Sequence, residues 1–160
     1  MPTIKYTINE ELLHEDTAKA RGLDLPISPR AAVEVCRAII GKKIPEAKKL
    51  LQDIISLKTP IPFRRHYKKR GHKSQLTGWP AGGYPTKAAR FILKILENLE
   101  NNAEQKELDP EQMVIIHAST KKGFTRKKYL PRAFGRATPY FGTTVHCEIV
   151  AEQRLEGGEI

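Results

Sequence analysis

Three stretches of the chain place apolar residues at the spacing of one helix face. The first is bounded by Ser28-Pro29, where Ser can act as N-cap and Pro occupies the first helical position, and by Gly41, a common helix stop. Its apolar positions are Ala32, Val35, Cys36, Ile39 and Ile40. The pattern predicts an amphipathic helix that buries this face.

The same spacing predicts two further helices. One begins near Pro45 and is expected to form a short hairpin with the first helix, whereas the other begins near Thr86 and ends in the Asn-rich, acidic stretch before Asp109. The expected buried faces are Ala47, Leu50, Leu51, Ile54 and Ile55 in the second helix, and Ala88, Phe91, Ile92, Ile95, Leu96 and Leu99 in the third.

Apolar residues alternate with polar ones near the end of the chain, which predicts two antiparallel strands. One continuous apolar face results when Val114 lies opposite Ile149, Ile116 opposite Cys147 and Ala118 opposite Val145. The other face then pairs Ile115 with Glu148, His117 with His146 and Ser119 with Thr144. A slip of one residue would mix the two faces, so the buried side selects this register.

This register makes residues 121–142 an extended hairpin whose turn falls between Pro131 and Arg132. Arms of about 11 residues, at roughly 3.3 Å per residue, would project on the order of 35 Å, farther than a domain of this size could cover. We also expect a short edge strand near residues 18–27, preceded by an arm, residues 1–17, without clear periodicity.

Periodicity disappears between residues 58 and 84, where the composition turns to Pro, Gly, aromatic and basic residues. A structureless loop of this length is uncommon in a compact domain unless it binds something. Trp79 in this loop could stack on a base or cover the third helix, and the sequence leaves both interpretations open.

A length of 160 residues is typical of a single domain, residues 1–160, and its charge is strongly basic. The formal net charge is +10, and no Asp or Glu occurs between Ile54 and Leu96 or between Gln112 and Cys147. These two acid-free windows contain ten and seven of the 28 Lys and Arg residues. Crowded like charges destabilise a compact state, so the windows indicate a polyanionic partner, with nucleic acid as the leading class.

The hairpin insert interleaves its cations with Phe124, Tyr129, Phe134, Tyr140 and Phe141. Cations contact phosphates, and aromatic rings stack on unpaired bases, so this composition favours folded RNA with exposed loops over a regular duplex.

Several other classes of protein and site are disfavoured. No apolar run approaches the length of a membrane helix, and no apolar stretch typical of a signal peptide follows Met1, so we expect a soluble, cytoplasmic protein. Cys36 and Cys147 sit on predicted apolar faces as core thiols, and neither the His66/His72 pair nor the His117/His146 pair supplies a metal site. No phosphate-cradling or nucleophile motif is present, and no cofactor is expected.

Three stretches of the chain are similar to the universal large-subunit ribosomal protein family numbered twenty-two in bacteria and seventeen in eukaryotes. They are SPRAAVEVCRAIIGKKIPEAKKLL at 28–51, GYPTKAARFILKILENLENNAE at 83–104 and LPRAFGRATPYFGTTVHCEIVAE at 130–152. The most specific part is PRAxGRA followed by a strand with His. Thr138-Pro139-Tyr140-Phe141 and the 58–84 loop resemble the archaeal and eukaryotic branch.

The resemblance implies an α+β fold with three helices on a small three-stranded antiparallel sheet and a long protruding hairpin. It implies a structural, non-enzymatic protein of the large ribosomal subunit that binds large-subunit ribosomal RNA, adjoins neighbouring ribosomal proteins and forms no homo-oligomer. The expected RNA-binding residues are Arg30, Lys42, Lys43, Arg64, Arg65, His66, Lys68, Lys69, Arg70, Lys73, Lys87, Lys121, Lys122, Arg126, Lys127, Lys128, Arg132 and Arg136.

The hairpin tip of this family lines the tunnel through which the nascent polypeptide leaves. By position, the resemblance implies that Leu130, Pro131, Arg132 and Ala133 lie at or near that tip. Two alternatives from other classes remain at this point. One is an RNA-processing or RNA-modifying enzyme that captures its substrate with basic loops, and the other is an architectural DNA-binding protein with a groove-binding hairpin.

Overall fold

Three antiparallel strands form a sheet, against which the first and third helices pack; their order in space is Thr17–Leu25, Gly142–Gln153 and Met113–Arg126. The structure is a computed structural model that describes residues 6–8 and 16–154. Its elements are β1 Thr17–Leu25, α1 Pro29–Ile39, α2 Ile44–Ile55, β2 Ile61–Pro62, β3 Gly82–Gly83, α3 Thr86–Glu104, β4 Met113–Arg126, β5 Tyr129–Pro131, β6 Ala137–Pro139 and β7 Gly142–Gln153. The predicted α+β class is confirmed.

The three helices begin where the sequence indicates. Ser28 precedes α1 in an extended conformation with Pro29 at the first helical turn, and Gly41 after α1 has a φ of +80°, which glycine adopts at little cost. The predicted faces are buried, except that Phe91, Leu50 and Ile55 are only partly covered and Ile40 is exposed. α1 ends at Ile39, and the backbone of Ile40, with φ −59° and ψ 135°, has already left the helical conformation, so Ile40 does not continue the buried face.

The predicted hairpin of α1 and α2 is wrong. α1 packs mainly on β4, and α2 packs mainly on α3. The connector between them is tied to the sheet, because the N–H of Gly41 donates to the carbonyl of Ile115 at 2.8 Å and the N–H of Ile115 donates to the carbonyl of Lys42 at 3.0 Å. Backbone pairing with β4 therefore separates the two helices.

The strand near residues 18–27 is confirmed as β1, an edge strand that pairs with β7. Most of the expected arm of residues 1–17 lies outside the described residues.

The pairing of β4 with β7 is antiparallel, but the predicted register is wrong. Ala118 lies opposite Ile149 rather than Val145, and Lys121 rather than His117 lies opposite His146. A displacement by an even number of residues leaves every side chain on the same face. From His117 to Lys122 the alternation of apolar residues therefore determined which face is buried, but it could not determine which residues are opposite each other.

An irregularity between Ile115 and His117 adds one unpaired residue to β4. The extra residue reverses the alternation, so Met113 and Ile115 are fully buried, whereas the predicted Val114 and Ile116 are only partly buried. A bulge of this kind cannot be read from an apolar pattern.

The turn of the hairpin also differs from the prediction. Tyr129 pairs with Pro139 and Pro131 with Ala137, so the apex is formed by Phe134 and Gly135 rather than by Pro131 and Arg132. Both apex residues have positive φ, 58° and 64°, which is the geometry of a type I′ turn. Residues 132–136 connect β5 to β6, and the N–H of Arg132 donates to the carbonyl of Arg136 at 2.8 Å, so this short turn fixes the register of the arms that lead into it.

Candidate nucleic-acid interface

Residues 58–84, called the basic loop from here on, are folded around one buried aromatic side chain. Phe63 is 1% exposed, and its N–H donates to the carbonyl of Ala81 at 3.0 Å, which extends the pairing of β2 with β3. Trp79 donates its ring N–H to the carbonyl of Phe63 at 3.0 Å and meets the Tyr67 ring edge-on, with centroids 6.0 Å apart. Trp79 is thus a packing residue of the loop.

The basic loop is anchored to α1 by a carboxylate. The side chain of Glu34 is fully buried, and its Oε1 accepts hydrogen bonds from the backbone N–H groups of Arg65 at 2.8 Å and His66 at 3.2 Å. The guanidinium of Arg37 lies 3.8 Å from the other oxygen, Oε2. Hydrogen bonds to a charged acceptor are stronger than neutral ones, so this contact holds two expected RNA-binding residues in place.

The cations of the basic loop divide into two groups. Arg70 lies over the Phe63 ring at 4.0 Å and Lys73 over the Tyr84 ring at 5.3 Å, so both contribute to packing. The side chains of Arg64, Lys68 and Lys69 are exposed, and among the residues that the structure describes no carboxylate pairs with them. The second group is free to contact an external anion.

Residues that are distant in sequence meet beside the start of α1. A cavity of about 190 Å³ is lined by Arg30, Arg65, His66, Tyr67 and Lys68. Arg30 belongs to the first turn of α1, which has no acidic residue, and the other four belong to the basic loop. The fold therefore gathers four of the expected RNA-binding residues around one small, positively charged space.

The remaining expected residues of the globular part lie elsewhere. Lys42 and Lys43 are half-buried in the connector between α1 and α2, where the backbone of Lys43 forms a bridge to Val114. Lys87 is exposed in the first turn of α3.

The hairpin of residues 121–142 carries a second group of cations. Lys121 lies 3.9 Å from the Glu148 carboxylate at the base. Beyond it, the other cations are exposed and, among the described residues, without a carboxylate partner. They are Lys122, Arg126, Lys127, Lys128, Arg132 and Arg136.

Aromatic rings of the hairpin are also exposed. Tyr129 and Phe141 meet edge-on with centroids 5.7 Å apart, yet both remain exposed. Phe124, Phe134 and Tyr140 are exposed as well, and Phe134 at the apex is 95% exposed. Large apolar groups in such numbers on a surface mark an interaction site.

The expected tip residues lie around the apex. Leu130 and Pro131 are in β5, and Arg132 and Ala133 follow it in the turn. The Arg132 guanidinium donates to the Thr138 hydroxyl at 2.9 Å, which braces the turn from one arm to the other. Phe134, which the sequence analysis did not assign to the tip, is the most exposed aromatic residue of the hairpin.

A second buried carboxylate lies at the base of the hairpin. Glu148 on β7 accepts hydrogen bonds from the Thr7 N–H at 2.9 Å and the Ser119 hydroxyl at 2.8 Å, and the His117 ring lies 3.3 Å away. Burial alone would raise the pKa of Glu148, but the hydrogen bonds from Thr7, Ser119 and His117 outweigh it and lower that pKa below its ordinary value. The carboxylate is thus held in its charged form.

Sequence reasoning missed both carboxylates for one reason. Glu34 falls outside the apolar stripe of α1, and Glu148 alternates with apolar residues on β7, so both appear solvent-facing. In the folded chain, the basic loop covers Glu34 and Thr7 covers Glu148. Neither contact produces a periodic pattern in the sequence.

The histidines and cysteines have structural surroundings. His117 lies beside Glu148, and the His146 ring accepts a hydrogen bond from the Asp24 N–H at 3.1 Å, so the predicted pairing of the two histidines is wrong. Both cysteines are buried, as predicted. In residues 6–8 and 16–154, no group of three or more His, Cys, Asp or Glu side chains could hold a metal ion, and no helix could cross a membrane.

Comparison with known proteins gives a consistent result. The family described as ribosomal protein L22p/L17e matches residues 20–152. The large ribosomal subunit protein uL22 of Archaeoglobus fulgidus is 56% identical over 137 residues, which cover 86% of this chain and 88% of that protein. Its counterpart in Methanocaldococcus jannaschii is 50% identical over 153 residues, covering 96% and 97%. That of Staphylothermus marinus is 46% identical over 158 residues, covering 96% and 99%.

The match spans α1, α2, α3 and the whole hairpin, and the Methanocaldococcus and Staphylothermus proteins align over nearly their full lengths. The resemblance inferred from the three sequence stretches is therefore confirmed: the chain belongs to the ribosomal protein L22p/L17e family.

Proposed function

We propose that this chain, a structural protein of the large ribosomal subunit, binds ribosomal RNA through two separate basic surfaces. The first surface comprises Arg30 and the cations of the basic loop, with Lys42, Lys43 and Lys87 nearby. The second comprises the cations of the hairpin. Family membership, rather than the lack of a catalytic motif, decides against the RNA-processing enzyme considered above.

One observation carries this proposal. Both surfaces are folded in the free chain, yet most of their cations have no carboxylate partner among the described residues. Preorganised cations without internal partners repel each other unless an anion neutralises them. A phosphate backbone supplies such anions, and the exposed hairpin rings offer stacking surfaces for unpaired bases.

The shape of the hairpin supports a finer proposal. The arms from Lys122 to the apex at Phe134 reach on the order of 40 Å at about 3.3 Å per residue, and the residues from Lys122 to Gly142 contribute nothing to the core. We assign Leu130, Pro131, Arg132 and Ala133 to the wall of the exit tunnel, in contact with the nascent polypeptide. The globular part then contacts RNA and neighbouring proteins at the outside of the subunit.

Crosslinking in purified ribosomes tests both the contact with ribosomal RNA and the contact with the nascent polypeptide. A photoreactive amino acid at position 132 should crosslink to a stalled nascent chain, and one at position 68 should crosslink to ribosomal RNA. A photoreactive group at position 97, on the exposed face of α3, is the control. If position 132 gives no crosslink to the nascent chain, the tunnel assignment is contradicted. If position 68 gives no crosslink to RNA, the basic-loop assignment is contradicted.

A further inference from the structure

Two thiols that are 111 positions apart in the chain touch in the core. The Sγ atoms of Cys36, on α1, and Cys147, on β7, are 3.6 Å apart. The two residues are 2% and 1% exposed. A disulfide bond requires about 2.05 Å between the sulfurs, so small rotations of the two side chains would bring them within bonding distance.

A surface cavity leads to one of these thiols. It has a volume of about 270 Å³, and its lining includes Cys36 together with Arg37 and Arg65, whose side chains are exposed. Cys147 is not part of the lining, so it lies behind Cys36 as seen from solvent. A small reagent that enters the cavity therefore meets Cys36 first, and the two arginines favour an anionic one.

We propose that Cys36 and Cys147 are a dithiol that a small anionic disulfide, of the glutathione disulfide class, converts to an internal disulfide bond. The Cys36 thiolate attacks one sulfur of the reagent, which forms a mixed disulfide and releases one thiolate. The Cys147 thiolate then attacks the Cys36 sulfur, forming the internal bond and releasing the second thiolate. The two protein thiols are oxidised, the reagent is reduced to two thiols, and the two protons pass through solvent to the released thiolates.

The surroundings of Cys36 slow this reaction but do not prevent it. The hydrogen bond with Cys147 and then burial raise the pKa of the Cys36 thiol well above its ordinary value, so little thiolate is present at neutral pH. The pair consequently behaves as ordinary buried thiols during brief exposure. This inference does not depend on RNA binding, because neither sulfur belongs to the proposed interface.

The bond would link α1 directly to the central strand of the sheet. α1 carries Glu34, which anchors the basic loop, and β7 carries the return arm of the hairpin. Closing a loop of this length restricts the unfolded chain strongly, so the oxidised protein should melt at a temperature higher by at least about 5 °C.

The test uses the purified, reduced full-length chain incubated under native conditions with glutathione disulfide for several hours. Acid quenching, denaturation and alkylation with N-ethylmaleimide, followed by intact-mass measurement, count the free thiols and any bound glutathione. We expect loss of both thiols without bound glutathione, reversal by dithiothreitol, and the higher melting temperature in the oxidised form.

Two variants separate the steps. Cys147→Ala should retain one glutathione on Cys36, since no second thiol can displace it. Cys36→Ala should remain unmodified at Cys147, because that residue does not line the cavity. The proposal fails if the wild-type chain keeps both thiols free, if it accumulates only mixed disulfides, or if the internal bond forms only in denaturant.

Discussion

The Oε1 atom of Glu34 accepts a hydrogen bond of 2.8 Å from the backbone N–H of Arg65, which joins the buried side of α1 to the basic loop. An acidic residue thus positions a surface that is otherwise basic. The contact fixes the backbone and leaves the guanidinium of Arg65 exposed. The arrangement separates the residue that holds the loop from the residues that can contact RNA.

Replacing Glu34 should weaken RNA binding although the change makes the protein more positive. Glu34→Ala leaves two backbone N–H groups without their acceptor, and we expect a loss of about 1–3 kcal/mol in the free energy of unfolding together with lower RNA affinity. Urea unfolding and filter binding measure the two effects. Glu97→Ala, an exposed position on α3, changes the net charge equally and should alter neither. Affinity that rises equally in both variants would show that net charge alone matters.

Three cations of the basic loop should account for a measurable part of the salt dependence. Arg64, Lys68 and Lys69 lack internal partners among the described residues, so the triple substitution to Gln should lower RNA affinity and reduce the slope of log K against log salt by roughly two to three. Filter-binding titrations between about 50 and 200 mM salt supply the slope. The matched control replaces Lys49, Lys106 and Arg154, which are exposed and lie outside both acid-free windows, with Gln. Equal slopes for the two triple variants would contradict the assignment.

Glu148 should make the stability of the fold depend on acid pH. Its folded-state pKa is lowered from 4.5, so its contribution to stability is fully present above about pH 4.5 and is lost as the pH falls through the folded pKa. Glu148→Gln should therefore be less stable than wild type at neutral pH, with a gap that narrows as the pH falls below about 4.5. Thermal unfolding at a series of pH values, with Glu97→Gln as the single-carboxyl control, measures the gap. A gap independent of pH would contradict the prediction.

Gly123 is required at the base of the hairpin because there is no room for a side chain. A Cβ atom at this position would lie 2.6 Å from the Thr144 hydroxyl oxygen and 3.0 Å from the His146 ring nitrogen. Gly123→Ala should therefore destabilise the protein by about 1–3 kcal/mol and disturb the pairing at the base. A Cβ atom at Gly142, on the other arm, would meet open space within 4 Å, so Gly142→Ala is the matched control and should be neutral. Equal stabilities in urea would refute the steric argument.

Deleting residues 124–140 and closing the arms with a short turn should leave a folded protein. No residue from Lys122 to Gly142 is buried, so the deletion removes none of the core. It also removes mutually repelling cations and shortens a long loop, which offsets the lost strand pairing. We expect a single cooperative transition in urea and native-like helix content by circular dichroism. A non-cooperative or unfolded product would show that the hairpin belongs to the core.

The helices could be predicted because their signals are local. The apolar stripe of α1, the Ser28-Pro29 start and the Gly41 stop lie within a few turns of one another. The register of β4 and β7 depends instead on a turn many residues away, and Phe134-Gly135 lacks the Asn or Asp that usually precedes Gly in a type I′ turn. The sequence could therefore predict the buried face of β7 and of the part of β4 after Ile116, but not the facing of Met113 and Ile115 or the partner of each residue.

The candidate site divides in the same way. Its cations and aromatic rings are evident from composition, because acid-free windows are visible in the sequence. The grouping of Arg30 with Arg65 and Lys68 cannot be seen in the sequence, because it requires the basic loop to fold back on the start of α1. That folding depends on Phe63 and Glu34, whose contacts across long sequence separations have no periodic pattern.

The two irregularities in the β4–β7 ladder have a consequence for insertions and deletions. β4 has 14 residues and β7 has 12, and the extra residues fall near Ile116 and near Gly123-Phe124. A single-residue deletion in β4 at Ile116 would convert the bulge into a regular ladder in which Met113 and Ile115 keep their facing, because Ile115 would still lie opposite Ala151. A single-residue deletion in β7 would instead increase the difference in length between β4 and β7. Length variation among homologous hairpins should therefore be confined to β4 and the apex, while β7 keeps a constant length.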